Sequence, residues 1–159
     1  MKQTAQKIVN RQDLKTKVLA WQSENQKVVF SNGCFDILHL GHIDYLEKAR
    51  TQGDRLVIGL NSNESVRILK GEDRPINNEE ARARMLAALE FVDGVTVFGE
   101  ETPKELIEYL LPDVLVKGSD YNVENIVGAK SVIANGGTVN TIDLVDGYST
   151  TNIIEKIKN

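Results

Sequence analysis

Short apolar runs recur along the chain and read as strands. They are residues 28–30 (VVF), 55–60 (RLVIGL), 95–98 (VTVF), 113–116 (DVLV) and 138–142 (TVNTI). The first two show no polar alternation, the pattern of strands covered on both faces. Between the runs the apolar period becomes helical: Leu14, Val18, Trp21; Ile43, Leu46, Ala49; Met85, Leu86, Leu89; Leu106, Ile107, Leu110, Leu111; and Ile153, Ile154, Ile157. Residues 63–69 and 125–134 read as two further helices. Strand, helix and strand in close succession require a crossover, and crossovers between parallel strands are right-handed. The pattern predicts an α/β fold, a doubly wound parallel five-stranded sheet with helices on both faces. Ligands bind such sheets at the carboxyl ends of the strands, where the strand order reverses.

Polar residues supply the punctuation. Residues 1–10 read as a frayed end, followed by a helix capped by Asp13. Gly53 suits the position after a helix. Asn77 with Glu80 reads as a capping-box variant, and Thr102-Pro103-Lys104-Glu105 as an N-cap with Pro at N1 and Glu at N3. Pro112 ends that helix, residues 135–137 (NGG) turn, and Ser149 or its neighbour caps the last helix. The organisation expected is an N-terminal extension and helix over 1–26, then a single domain over 27–159.

Composition narrows the class. A chain of 159 residues with 41% hydrophobic and 26% charged residues can bury a real core. A net charge of −4 argues against a broad nucleic-acid surface. No apolar run approaches the ~20 residues of a membrane span, and no signal-peptide pattern opens the chain. The single cysteine, Cys34, rules out an internal disulfide and fits a reducing cytoplasm. With no base paired to it, Cys34 reads as a small buried residue beside a site.

The chemistry concentrates in residues 28–42, VVFSNGCFDILHLGH. Both histidines of the chain, His39 and His42, flank Gly41 at a helix start just beyond a strand. Unpaired N–H groups and the helix dipole favour an anion there. Residues three apart face the same way on a helical turn, so two imidazoles can donate to one phosphate. Zinc is the weaker reading, because two histidines without a Cys pair or Glu do not make a ligand set. Further along, Lys70 and Arg74 lie in a polar loop, Arg82 and Arg84 project from a helix start, and Lys117, Gly118 and Asp120 follow a strand. Ser149, Thr150 and Thr151 place three hydroxyls at a second helix start.

Gly33, Phe35, Asp36, His39, Gly41 and His42 resemble the G-x-F-D-x-x-H and HxGH signatures of the nucleotidyltransferase superfamily, in its cytidylyltransferase-like branch. Gly147-Tyr148-Ser149-Thr150-Thr151 resembles that superfamily's second signature. Class I aminoacyl-tRNA synthetases carry a related motif, but they are much longer and no KMSKS segment occurs here. Residues 69–75 (LKGEDRP), 115–121 (LVKGSDY), 135–137 and 149–154 (STTNII) are similar to the heptose-1-phosphate adenylyltransferase group. The resemblance covers residues 28–158; Ser119 and Tyr148 depart from the commoner pattern. No kinase half accompanies it, so a stand-alone version is expected.

The resemblance implies a Rossmann-like fold and transfer of AMP from ATP to a sugar 1-phosphate, giving ADP-heptose and pyrophosphate for lipopolysaccharide core synthesis. It implies that His39, His42 and Lys70 are catalytic. Asn32, Gly33, Cys34, Phe35, Gly41, Lys117, Asp120, Ser149, Thr150 and Thr151 would bind nucleotide. Arg74, Arg82 and Asn61 would hold the substrate phosphate. Mg2+ would travel on the ATP, through phosphate oxygens and water, with no dedicated protein metal site. A homo-oligomer, dimer or higher, would form through the N-terminal helix; neither nucleic acid nor membrane is a partner. The competing readings are a glycerol-3-phosphate-type cytidylyltransferase, which shares both signatures, and a nucleotide-binding module without turnover.

Overall fold

Along the central strands, successive side chains leave the sheet on opposite faces, as the pleat requires. Val28 and Phe30 join one apolar layer and Val29 the other; Val57 and its neighbours Leu56 and Ile58 divide in the same way. The computed structural model describes residues 3–159. Its strands are β1 (Val28–Gly33), β2 (Arg55–Asn61), β3 (Gly94–Phe98), β4 (Val114–Gly118) and β5 (Thr138–Ile142). All pair in parallel, in the order β3-β2-β1-β4-β5. Helices α2 (Leu40–Arg50) and α4 (Glu79–Ala88) cover one face with Leu46, Ala49, Ala83 and Leu86. Helices α1 (Arg11–Ser23), α5 (Lys104–Leu110) and α6 (Ala129–Ala134) cover the other with Leu14, Val18, Leu106, Ile107 and Val132. Two more helices, α3 (Asn63–Lys70) and α7 (Thr150–Lys158), complete the chain. The doubly wound parallel sheet is the one the apolar pattern predicts. No helix among the described residues is long and apolar enough to cross a membrane.

The strand order reverses between β1 and β4, and there the ladder is short. It pairs only Val29 with Val114 and Phe30 with Leu115, whereas β1 and β2 pair from Val28–Arg55 through Gly33–Leu60. Beyond Phe30, the hydroxyl of Tyr45 bridges the two strands. It lies 2.8 Å from Ser31 Oγ and donates to the carbonyl of Val116 at 3.0 Å. Burial pushes the Tyr45 pKa up to about 12, so this hydroxyl stays protonated.

Several local expectations change. Residues 1–2 lie outside the described residues, and residues 4–9 are not frayed: a 3-10 turn spans Thr4–Lys7, Ile8 bridges Val95, and the Val9 N–H donates to the Val95 carbonyl at 3.0 Å. The edge strand β3 offers free backbone groups, and this segment takes them. Helix α1 is capped by Asn10 rather than Asp13; Asn10 Oδ1 accepts from the Asp13 N–H, and Asn10 Nδ2 returns a bond to Asp13 Oδ2. Asn78, not Asn77, caps α4. The N-cap of α5 is Pro103, with Thr102 Oγ1 accepting from the Lys104 N–H. Gly53 follows the C-cap Thr51 by two residues, and its lack of a Cβ admits Val29 and the Lys27 carbonyl. Residues 125–134 are not one helix. Gly128 takes φ +83° between a 3-10 turn (Val123–Asn125) and α6, where any Cβ would strike Ile107. Lys117 and Gly118 belong to β4 rather than to a turn. In α7, Ile153 and Ile154 are half-buried, but Ile157 is 77% exposed and outside the core.

Tyr45→Phe removes the only side-chain bridge described between β1 and β4 and leaves two buried polar groups short of a partner. It is expected to lower unfolding stability by about 1–2 kcal/mol with the fold retained, read as a lower urea midpoint at unchanged slope.

Candidate active site

A cavity of about 620 Å3 opens at the reversal between β1 and β4. The end of β1 and its following loop bring Asn32, Gly33, Cys34 and Phe35 to it; the start of α2 brings His39, Gly41 and His42. Asn61 comes from β2, Lys70 from the end of α3, and Arg74 from the next loop. Lys117 and Asp120 come from β4 and beyond, and Ser149, Thr150 and Thr151 from the start of α7. Residues as far apart in sequence as Asn32 and Thr151 thus line one cavity; the join at α7 is the bond from Thr150 Oγ1 to the Ile37 carbonyl, at 3.3 Å. That bond uses the Thr150 hydroxyl hydrogen, while Ser149 Oγ accepts from the Asn152 N–H at 3.0 Å and keeps its own hydrogen to donate.

His39 occupies the N-cap position of α2 without capping it, which leaves its ring free for the cavity. The rings of His39 and His42 stack, with centroids 3.8 Å apart and planes 21° apart. Gly41 makes this possible, because a Cβ there would come within 3.0 Å of the His39 ring and 3.2 Å of Tyr148. Phe35 meets His42 edge-on at 5.2 Å, and Tyr148 stacks over His39 at 6.4 Å. Nδ1 of each imidazole is buried and without a protein partner among the described residues. Burial, then the neighbouring His39, lowers the His42 pKa from 6.5 to about 4, against a smaller raising influence of the nearby Ile37 carbonyl. Burial also lowers His39. At neutral pH the pair is uncharged, and each ring keeps one N–H donor.

Lys70, Arg74 and Lys117 line the same cavity. Burial pushes the Cys34 thiol up despite the nearby Lys70, Arg82 and Arg74, so it stays protonated and inert as a nucleophile. Burial lowers Lys117, partly offset by Asp120. The Lys117 ammonium sits 5.2 Å over the Tyr121 ring.

Arg82 is the one predicted site residue outside the cavity. It is fully buried, and four internal acceptors hold its guanidinium: the carbonyls of Asn77 (2.9 Å), Cys34 (2.8 Å) and Asn61 (2.8 Å), and Asn63 Oδ1 (3.0 Å). A desolvated guanidinium requires such partners, and these leave it no reach toward a substrate phosphate. Its work is to weld the loop after β1 to the end of β2 and the start of α4.

Sequence reasoning assigned no task to Asp36, Tyr45, Tyr121, Tyr148, Leu144 or Glu101, all of which border the cavity. Tyr121 and Tyr148 adjoin residues already flagged, so their neighbours were the signal. Glu101 follows β3 and carries no local mark; only the packing of the sheet brings it in. Among the described residues, no group of three His, Cys, Asp or Glu gathers as a metal site.

An α/β sheet with paired imidazoles and a helix start at its reversal point suits the handling of a nucleotide's phosphates, and the family match identifies the protein as a nucleotidyltransferase. The chain belongs to the cytidylyltransferase-like family, whose model matches residues 30–156. It is 53% identical to the "Bifunctional protein HldE" of Marinomonas sp. (strain MWYL1) over 94% of this chain and 31% of that protein. It is 54% identical to the protein of the same name from Haemophilus influenzae (strain PittEE), over 95% of this chain and 32% of that protein. The chain thus spans about a third of the length of the curated relatives it matches. Among solved structures, the lipopolysaccharide core biosynthesis protein from Thermoplasma volcanium GSS1 aligns with a TM-score of 0.60 at 28% identity, over 78% of this chain and 99% of that one. Pantoate-beta-alanine ligase from Francisella tularensis shares the fold, with a TM-score of 0.61 at 14% identity, over 95% of this chain and 76% of that one.

The depressed His42 pKa has a consequence for stability. The unfolded chain binds a proton near pH 6.5 and the folded one only near pH 4, so the stability from a neutral His42 is whole above 6.5 and is lost as pH falls toward 4. Urea midpoints are expected to fall across that window, and to fall less in His42→Asn.

Proposed function

We propose that this domain transfers AMP from ATP to heptose 1-phosphate and releases pyrophosphate. The observation that carries the reading is the stacked, uncharged histidine pair in the cavity at the β1/β4 reversal. The sugar is supported by the segments at 69–75 and 115–121 and by the likeness to a lipopolysaccharide core biosynthesis protein.

In this reading an oxygen of the sugar phosphate attacks the α-phosphorus of ATP in line. A new P–O bond forms, the bond to the β-phosphate oxygen breaks, and its electron pair leaves with pyrophosphate. Mg2+ enters with ATP as part of the substrate, held by phosphate oxygens and water. The N–H groups of His39 and His42 donate to α-phosphoryl oxygens as charge develops on them. Neutral imidazoles need no proton transfer, so positioning and charge stabilisation do the work. Lys70 draws the phosphates from one side, and Lys117, Asp120, Ser149 and Thr151 hold the nucleotide from the other.

Pyrophosphate release is the test. Turnover is expected with ATP and heptose 1-phosphate. Turnover only with CTP and glycerol 3-phosphate would replace the substrate assignment, and nucleotide binding without pyrophosphate would replace the enzyme. His42→Ala is expected to lower kcat by about 100-fold, with a much smaller change in KM for ATP.

A further inference from the structure

Two arginines close to the cavity are used in opposite ways. Arg82 spends its guanidinium on four internal acceptors. Arg74 spends only Nε, which donates to Asp36 Oδ2 at 2.7 Å. Its two terminal nitrogens have no acceptor among the described residues, although its side chain is only 15% exposed and borders the cavity.

Asp36 is 1% exposed and accepts three bonds: from Arg74 Nε, from the Ile76 N–H at 2.9 Å and from the Asn77 N–H at 2.9 Å. Its backbone carbonyl accepts a fourth, from Asn77 Nδ2 at 2.7 Å. Residue 36 therefore holds residues 74–77 from both its side chain and its main chain. Burial alone would raise its pKa, but the Asn77 and Ile76 N–H groups and Arg74 outweigh it and keep the carboxyl below the usual carboxylate range. A buried carboxylate that accepts from Nε fixes the guanidinium plane. The outer pair of nitrogens then presents a fork suited to two oxygens of one phosphate.

We propose that Asp36 is a positioning residue, whose buried carboxylate orients Arg74 so that its two terminal nitrogens take the phosphate of the acceptor substrate. Arg74 lies in the loop after α3, which follows β2, whereas Lys117 belongs to β4, on the other side of β1 in the strand order. The inference rests on the reading that a phosphorylated acceptor enters this cavity.

The test uses Asp36→Asn, Arg74→Lys, Arg74→Ala and the double variant Asp36→Asn/Arg74→Ala. KM for heptose 1-phosphate and for ATP is measured by pyrophosphate release, Kd for inorganic phosphate by calorimetry, and folding by urea. Arg74→Lys keeps the charge and loses the fork, so acceptor KM and phosphate Kd are expected to rise about tenfold or more. KM for ATP is expected to stay within about twofold, and kcat to change less than acceptor KM. Asp36→Asn should do the same, and the double variant should be no worse than Arg74→Ala. Arg74→Lys binding acceptor and phosphate like the unmodified protein overturns the proposal. So do a loss that falls on ATP instead, and additive losses in the double variant. If Asp36→Asn does not fold, Arg74→Lys decides by the same criterion. Weakened inorganic phosphate binding in a protein with no turnover of heptose 1-phosphate upholds the clamp and removes the sugar assignment.

Discussion

The ladder between β1 and β4 ends at Phe30, and the site exists because it does. Chain connections leave the sheet in opposite directions from these two strands, α2 toward one face and the segment after β4 toward the other. The carboxyl ends of the strands open there onto a crevice. Two polar groups are buried beside the gap, the Ser31 hydroxyl and the Val116 carbonyl. The Tyr45 hydroxyl answers both from α2, the helix that also carries His42. One helix thus seals the base of the crevice and arms its rim.

Above that base, several groups facing the cavity are short of hydrogen-bond partners. The rings of His39 and His42 are stacked against each other with Nδ1 unmatched, and Lys117 lies over the Tyr121 ring without a hydrogen-bonded acceptor among the described residues. Groups of this kind are stabilised by a ligand that brings oxygens and negative charge. The surrounding frame is satisfied in the opposite sense. Arg82 is saturated with acceptors and Asp36 with donors, so the loops that carry Cys34, Asn61 and Arg74 are tied to one another before any ligand arrives. Rigid support beneath underused donors is the arrangement that catalysis by positioning requires.

Most departures from the sequence-based reading come from partners distant in the chain. Asn77 looks like a helix cap, and by local rules it is a good one; instead Asp36, 41 residues earlier, takes its N–H and its side chain, and the cap passes to Asn78. Asp13 loses the cap to Asn10 for a local reason, a reciprocal bond between the two side chains. Arg82 looks like a phosphate ligand because a cation in a first helical turn near a loop usually faces water. Its true surroundings are three carbonyls and an amide oxygen that no local pattern reveals. Residues 8–9 look like a free end until the edge of β3 is present to receive them.

By itself, the sequence determined the five parallel strands, the helices between them and the histidine pair at the end of β1. Those features rest on periodicity and on short-range spacing, which the backbone enforces within a few residues. Only the tertiary structure decided which charged groups face a ligand and which serve the fold. That choice depends on burial and on the acceptors within reach, so of two arginines eight residues apart, Arg82 is held by internal acceptors while Arg74 keeps two nitrogens unmatched beside the cavity. The reason is desolvation: a buried charge must be matched inside the protein, and only the packed fold supplies the match.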